Sequence, residues 1–122
     1  MTNQIHDRTF LDQHYRGLEE MYHQAPINTS IPSRLSVSEG RASVVLTVGP
    51  QFWHSGAGLH GSLYFKGLDD AAFFAANSVV TDNFVLTARF EVHLLAMVTD
   101  ESLTAVGVLE KRDGRKLWAR SE

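Results

Sequence analysis

The chain contains no cysteine. Disulfide bonds, thiolate metal sites and cysteine nucleophiles are therefore excluded, and the composition fits a reducing compartment such as the cytosol. No hydrophobic run approaches the roughly 18 residues that a membrane span needs. The polar stretch from Met1 to Arg8 also lacks the apolar core of a signal peptide. We therefore expect a cytoplasmic protein that is neither exported nor embedded in a membrane.

Strong charge of one sign is lacking as well. The formal net charge is −3 at neutral pH, so the chain offers no basic surface that would attract nucleic acid or an anionic membrane. Four basic residues cluster late in the chain, at Arg112, Arg115, Lys116 and Arg120. We interpret them as part of a solvated hairpin, and contact with the phosphates of a nucleotide-bearing ligand is the less favoured alternative.

Hydrophobic periodicity predicts most of the secondary structure. Apolar side chains recur at helical spacing from Thr9 to Tyr22, which predicts an amphipathic helix. Apolar and polar residues alternate from Phe84 to Val98, and this period of two predicts a long strand with one face in the core. Shorter alternating runs and turn signals predict four further strands, which are Arg34 to Val37, Ala42 to Gly49, Leu103 to Glu110, and Lys116 to Arg120.

A second helix is predicted after the glycine-rich loop Ser55–Gly58, beginning at Gly61 and ending near Asn77 or Ser78. Apolar residues surround this helix almost completely, so it needs cover from a sheet and from a further surface such as a second subunit. Hairpin-length connections favour an α+β fold in which a curved antiparallel sheet wraps the long helix. At 122 residues, the chain is expected to form a single domain over residues 1–122.

Two adjacent carboxylates lie on this helix, and their surroundings are predicted to differ. Asp69 is at helical spacing from Phe65 and Phe73, which places its carboxylate on a largely apolar face. A carboxylate in such a position either has a hydrogen-bonding partner or performs acid–base or nucleophilic chemistry. Asp70 follows Lys66 by one helical turn, and we interpret it as the structural member, paired with that lysine.

The turn into the helix is the second candidate for chemistry. Gly61 presents free backbone N–H groups at a helix N-terminus, where they and the helix dipole stabilise an oxygen that acquires negative charge. A glycine needed only for a tight turn is the alternative. His60 is expected to hydrogen-bond the backbone around this turn, and we assign it with Gly61 and Asp69 to the catalytic group. The histidines at 6, 14, 23, 54, 60 and 93 lack metal-ligand spacing, and Ser55 and Ser62 lack a serine-hydrolase framework, so neither kind of site is expected.

Together these residues resemble the motif of the hotdog-fold acyl-CoA thioesterases, in particular the PaaI-like branch associated with phenylacetate degradation. In that family the long helix begins with a His-Gly-Gly-type turn and carries an acidic residue about two and a half turns later. Here the pattern is His60-Gly61-Ser62 followed by Asp69. The resemblance covers most of the chain, from the N-terminal helix through the hairpin and central helix to the antiparallel strands.

The resemblance implies hydrolysis of an acyl-CoA thioester to a free acid and coenzyme A. The backbone amide of Gly61 would polarise the thioester carbonyl, and Asp69 of the partner subunit would act as nucleophile or as general base toward water. The acyl pocket would draw on Tyr64, Leu68 and Phe73. No cofactor is implied, because coenzyme A is part of the substrate. Members of the family commonly form homodimers, which often pair into homotetramers.

Three features differ from the family pattern. Ser62 replaces the usual second glycine, and His54 stands where many relatives carry an asparagine that orients the acid or the thioester. Both residues are expected to contact the substrate. Relatives continue into a further strand at about the position of Arg120–Glu122. We expect that a C-terminal segment is missing from the chain, and a shortened sheet with an exposed edge is the alternative.

The leading functional hypothesis is therefore a thioesterase that acts on a small, medium-length or aromatic acyl-CoA, or on an acyl carrier thioester. The alternative is a hotdog module that binds acyl-CoA without hydrolysing it, as a sensor or scaffold. A hotdog hydratase or dehydratase ranks last, because those relatives usually depend on a catalytic histidine in a different setting, and only His60 could serve here.

Overall fold

The computed structural model describes the backbone of residues 3–122 and the side chains from Arg8 onward; Met1 and Thr2, which begin the polar N-terminal stretch, lie outside the described residues. The predicted α+β class is confirmed. In chain order the helices and strands are α1 (Asn3–Gln24), α2 (Ile27–Ser30), β1 (Ser33–Ser38), β2 (Arg41–Thr47), α3 (Gly61–Asn77), β3 (Ser102–Asp113) and β4 (Lys116–Ser121), with a single 3-10 turn, Pro50–Phe52, between β2 and α3.

The four strands form one sheet in the order β1-β2-β3-β4, and each strand is antiparallel to its neighbour. Val44 lies opposite Leu35 on one side and Ala105 on the other, and all three side chains are buried. Because side chains alternate between the two faces of a strand, these residues share the inner face of the sheet. The β1–β2 hairpin turns at Gly40, whose φ of +65° lies in the left-handed region that favours glycine.

The two edges of the sheet differ. At the β1 edge, α1 supplies side chains in place of a neighbouring strand. The Val37 N–H donates to a carboxylate oxygen of Glu19 at 2.8 Å, and the Leu35 N–H donates to Nε2 of His23 at 3.0 Å. β4 forms the opposite edge, and no strand within residues 3–122 pairs with its outer side. The sheet therefore has one covered edge and one open edge.

The helix α3 lies against the inner face of the sheet and forms the centre of the core. Its residues Leu63, Ala71 and Phe74 are buried among the inner-face side chains of the strands. β3 passes so close to α3 that a Cβ atom at Gly107 would lie 2.2 Å from the carbonyl oxygen of Ala71. Among the helices of the described chain, none is both long enough and apolar enough to cross a membrane.

After α3 the chain runs back along the same helix, and we call residues 83–98 the return segment. Its contacts fall on successively earlier turns of α3. The ring of Phe84 packs on Phe73 with centroids 4.8 Å apart, and that of Phe90 packs on Phe65 at 4.5 Å. The Val98 N–H then donates to the Tyr64 hydroxyl oxygen at 2.7 Å, near the start of the helix. The return segment is thus anchored along most of the length of α3.

The predicted strand from Phe84 to Val98 is wrong in this structure, because no part of that stretch forms a strand. A strand exists only where its backbone groups pair with a neighbour. The return segment is held to α3 by side chains, and a cleft separates it from the open edge of β4. The remaining predicted helices and strands are present, with ends that extend the predicted ranges by up to six residues or, for β2, stop two residues short.

Candidate active site

The turn into α3 is organised by the side chain of His60, which occupies the N-cap position. Its Nδ1 accepts a hydrogen bond from the Ser62 N–H at 3.0 Å and lies 2.8 Å from the Ser62 hydroxyl. This is the backbone hydrogen bond around the glycine turn that was predicted for His60. Gly61 is exposed, and within the described residues its N–H has no hydrogen-bond acceptor. A free donor at the positive end of a helix suits an oxygen that gains charge.

The glycine-rich loop before this turn is fixed by its own backbone. The His54 N–H donates to the Gly58 carbonyl at 2.8 Å, and the His60 N–H donates to the Phe52 carbonyl at 2.9 Å. His54 also uses its ring, because Nδ1 accepts from the Gly56 N–H at 2.9 Å. Nδ1 of His54 therefore serves the loop, which leaves Nε2 for the predicted contact with a substrate.

Asp69 is partly buried and has one close partner, Thr87 on the return segment. The Thr87 hydroxyl donates to Oδ1 of Asp69 at 2.8 Å. Burial raises the pKa of Asp69 above its ordinary value, and the neighbouring charge of Asp70 adds to this rise. The hydrogen bond from Thr87 and the charge of Lys66 act in the opposite direction. Asp69 thus has the environment of a proton acceptor whose affinity for a proton is increased.

The sequence did not identify Thr87 as part of the candidate site. It occupies a polar position in the alternating pattern of the return segment, where the interpretation as a strand assigns it to the face away from the core. Its meeting with Asp69 depends on the path of the return segment along α3, which the pattern does not encode. A hydroxyl at a polar position 18 residues after the acid was the only available signal.

Asp70 plays a different part, in agreement with its prediction as the structural member. Its Oδ2 accepts from Nζ of Lys66 at 2.6 Å and from the Tyr22 hydroxyl at 2.6 Å. Lys66 also donates to the side-chain oxygen of Asn28. This largely buried polar cluster ties α3 to α1 and α2. Burial and the hydrogen bond to Asp70 raise the pKa of Tyr22, so its hydroxyl stays protonated.

A cleft of about 1600 Å³ lies between α3, the return segment and β4. Of the predicted site residues, Tyr64, Leu68, Asp69 and Phe73 line it, whereas His54, His60, Gly61 and Ser62 lie outside its lining. The volume of the cleft exceeds the roughly 300 to 1000 Å³ of a typical ligand pocket. Its apolar wall nevertheless includes the packed rings of Phe73 and Phe84.

Within one chain the two halves of the predicted chemistry are well separated. Gly61 and Asp69 lie on one helix, eight residues apart, and a rise of 1.5 Å per residue puts them about 12 Å apart along its axis. A carbonyl oxygen within hydrogen-bonding distance of the Gly61 N–H is therefore out of reach of the Asp69 carboxylate of the same chain. The structure brings Asp69 together with Thr87, Leu68 and Phe73, and it brings Gly61 together with His60 and Ser62.

Among the side chains from Arg8 onward, the histidines do not converge on one site, and the late basic residues are exposed. Among the side chains from Arg8 onward, no three His, Asp or Glu residues converge on a point that could hold a metal ion, and His6 lies outside that range. Arg120 is 3.4 Å from Glu110, and Arg112 donates to the Val79 carbonyl at 3.1 Å. Both arginines lie at the cleft and are largely exposed. The interpretation of the cluster as a solvated hairpin is consistent with this exposure.

No protein-family profile and no curated protein sequence matches the chain. Solved structures with a similar fold include the PaaI protein of the E. coli phenylacetic acid degradation operon, which has a TM-score of 0.74 at 20% identity, covering 93% of this chain and 89% of that one. A thioesterase family protein from Silicibacter pomeroyi has a TM-score of 0.75 at 18% identity, with 91% of each chain covered. Zebra fish thioesterase superfamily member 2 has a TM-score of 0.68 at 12% identity, covering 88% of this chain and 93% of that one.

At sequence identities of 12 to 20%, the similarity to these proteins concerns the fold alone. The hotdog fold that the motif led us to expect is confirmed, with α3 as the long helix and β1 to β4 as the sheet that packs on it.

Proposed function

We propose that this chain is a thioesterase that hydrolyses a small, medium-length or aromatic acyl-CoA, or an acyl carrier thioester, to the free acid and the thiol. The observation that carries the proposal is the partly buried Asp69, held by Thr87 at the wall of the cleft, on the same helix that begins with an unpaired Gly61 N–H. A fold shared with proteins named as thioesterases supports it. The chemistry itself is argued from these residues.

The proposed reaction begins with the thioester carbonyl at the turn into α3. The Gly61 N–H donates to the carbonyl oxygen and stabilises the negative charge that forms there. The Asp69 carboxylate either takes a proton from the attacking water or attacks the carbonyl carbon itself. Oδ1 accepts from Thr87, which leaves Oδ2 to act. Collapse of the tetrahedral intermediate breaks the C–S bond, the thiolate leaves, and in the covalent route water then releases the acid.

The separation of about 12 Å between Gly61 and Asp69 along α3 leads us to place the site between two subunits. Asp69 of the partner subunit would meet the carbonyl oxygen held by Gly61 of this chain. The return segment supports association with a second copy, since it exposes large apolar side chains that a lone chain leaves in water. They are Phe84, Leu86, Val92, Leu94, Leu95 and Met97. A homodimer, or a homotetramer of two such dimers, is the proposed assembly.

The test is release of free thiol from short, long and aromatic acyl-CoAs. Asp69→Asn keeps the size of the side chain and an oxygen that can accept from Thr87, but it removes the base or nucleophile. We expect its turnover to fall at least about 100-fold, the lower range for a catalytic acid or base. Asp100→Asn, at an exposed position outside the cleft, is the matched control and should retain wild-type turnover. Undiminished hydrolysis by Asp69→Asn would contradict the assignment.

The same separation of Gly61 and Asp69 also favours a second candidate, a module that binds acyl-CoA without hydrolysing it. A single chain keeps the cleft and the helix N-terminus but cannot bring both catalytic parts to one carbonyl. This candidate predicts no thiol release from any acyl-CoA, together with a rise in melting temperature when acyl-CoA is added. Thiol release by the wild type that Asp69→Asn abolishes would rule it out.

A further inference from the structure

Tyr64 makes contacts that its expected role as a pocket residue does not explain. It lies three residues after Gly61, and its side chain reaches the end of the return segment. The Tyr64 hydroxyl accepts from the Val98 N–H at 2.7 Å and donates to the Ala96 carbonyl at 3.3 Å. A phenol has one proton to donate. That proton is directed to the protein's own backbone and is not available to a substrate.

The same part of the return segment holds the chain just before the turn into α3. The Val98 carbonyl accepts from the Leu59 N–H at 3.0 Å. Leu59 is almost completely buried and precedes Gly61 by two residues. On its other side Leu59 pairs with Trp53 in an isolated antiparallel bridge. Leu59 is therefore fixed between the glycine-rich loop and the return segment.

These contacts close a ring around the turn. The backbone leads from Leu59 through Gly61 to Tyr64, the Tyr64 hydroxyl binds Val98, and Val98 binds Leu59 again. The free N–H of Gly61 lies inside the covalent part of this ring. Because a hydrogen-bonded ring limits how its members move, the Tyr64 hydroxyl restrains the backbone that carries the Gly61 N–H.

We propose that Tyr64 is a positioning residue that holds the Gly61 N–H in place for the thioester carbonyl. The inference rests on the proposed function and deepens it, since it assigns to Tyr64 a role in the rate of the reaction and not in binding the acyl group. Removal of the hydroxyl leaves the Val98 N–H without its acceptor and opens the ring on one side. The Gly61 donor remains present but loses its fixed direction.

The expected effect is a change in kcat. Complete loss of one oxyanion donor lowers kcat by roughly 100-fold to 1000-fold, so a donor that is present but misdirected should lose less, about 10-fold. KM should change by less than about twofold, because an interaction made only in the transition state contributes to kcat and not to ground-state binding. A residue that binds the acyl group would show the opposite pattern, with a raised KM and an unchanged kcat.

The experiment compares Tyr64→Phe with Tyr22→Phe in thiol release and in amide hydrogen exchange. Both changes remove one phenol oxygen that is hydrogen-bonded within the protein. Tyr22, however, belongs to the Lys66–Asp70 cluster between α1 and α3. Tyr64→Phe should lower kcat about 10-fold at unchanged KM and should speed exchange of the Leu59 amide about 10-fold. Tyr22→Phe should lower the melting temperature while leaving kcat, KM and the Leu59 amide as in the wild type.

Each other outcome counts against the positioning role. A raised KM at constant kcat would make Tyr64 a substrate contact, and an equal loss of kcat in Tyr22→Phe would make the effect one of general stability. Unchanged Leu59 exchange in Tyr64→Phe would refute the ring whether or not the protein is active. Absence of thiol release from the wild type would refute the proposed function separately, with the exchange data still reporting whether the ring exists.

Discussion

Gly107 offers the sharpest test of how α3 and the sheet fit together. A Cβ atom at this position would lie 2.2 Å from the carbonyl oxygen of Ala71, 2.4 Å from its carbonyl carbon and 2.7 Å from the nitrogen of Ala72. Packed carbon atoms stay about 3.5 to 4.0 Å apart, so Gly107→Ala would force β3 and α3 to separate by about 1 Å. The obstructing atoms are backbone and cannot rotate away. Overpacking usually costs about 1 to 3 kcal/mol, and this rigid case should reach at least the upper value.

A loss of about 3 kcal/mol is a large share of the 5 to 15 kcal/mol that stabilises a typical domain. For a chain of this size it corresponds to a fall of roughly 10 °C in the melting temperature. Thermal unfolding followed by circular dichroism measures it directly. Gly17→Ala is the control, because Gly17 lies in α1 with no atom near its added Cβ, and the change should stabilise by about 0.5 to 1 kcal/mol. A Gly107→Ala protein that melts within a degree or two of the wild type would refute the close approach of β3 to α3.

Two further predictions concern the return segment. Because burial raises the pKa of Asp69 and the proposed reaction needs its ionised form, thiol release should increase with pH through a limb at higher pH than the ordinary aspartate pKa would give. Thr87→Val removes a hydrogen bond that lowers this pKa, so the limb should move to still higher pH, and a move to lower pH would contradict the sign. Asn77→Ala should lower the free energy of unfolding by about 2 to 3 kcal/mol in denaturant titrations. The reason is that it leaves the Val80 and Asn83 carbonyls and the Val85 N–H without their buried partner. A loss below about 0.5 kcal/mol would show that these groups find other partners.

The elements that the sequence predicts correctly are those whose burial follows their own period. In β2 every second residue is buried, including Val44 and Leu46, and the alternation alone locates the strand and its inner face. Leu63, Ala71 and Phe74 follow helical spacing in α3, and this helix begins at Gly61 as the glycine turn predicts. Such local patterns are sufficient to predict a helix or strand because its buried positions recur with the period of that helix or strand.

The return segment shows where this information ends. Its alternation from Phe84 onward sorts side chains into two sets, and the structure uses that sorting when Phe84 and Phe90 pack on α3. Alternation does not specify which backbone lies alongside, and within the described residues no strand does so. The contacts of Thr87 and Tyr64 depend on this path, so neither the partner of Asp69 nor the ring at Gly61 was accessible from spacing.

The separation of Gly61 from Asp69 and the exposed apolar side chains of the return segment both favour the proposed association with a second copy of the chain. Gly61 and Asp69 cannot reach one carbonyl within a chain, because the helix that carries both is rigid and sets them about 12 Å apart. The segment that holds Asp69 through Thr87 also exposes Leu86 and Leu95, which gain by leaving water. A second copy that covers these side chains would bring its own α3 close to this one. We infer that association of two copies buries the return segment and completes the proposed site in the same step. Leu95→Asp should therefore weaken both association, measured by sedimentation, and thiol release, measured as turnover. A monomeric variant with full activity would contradict this inference.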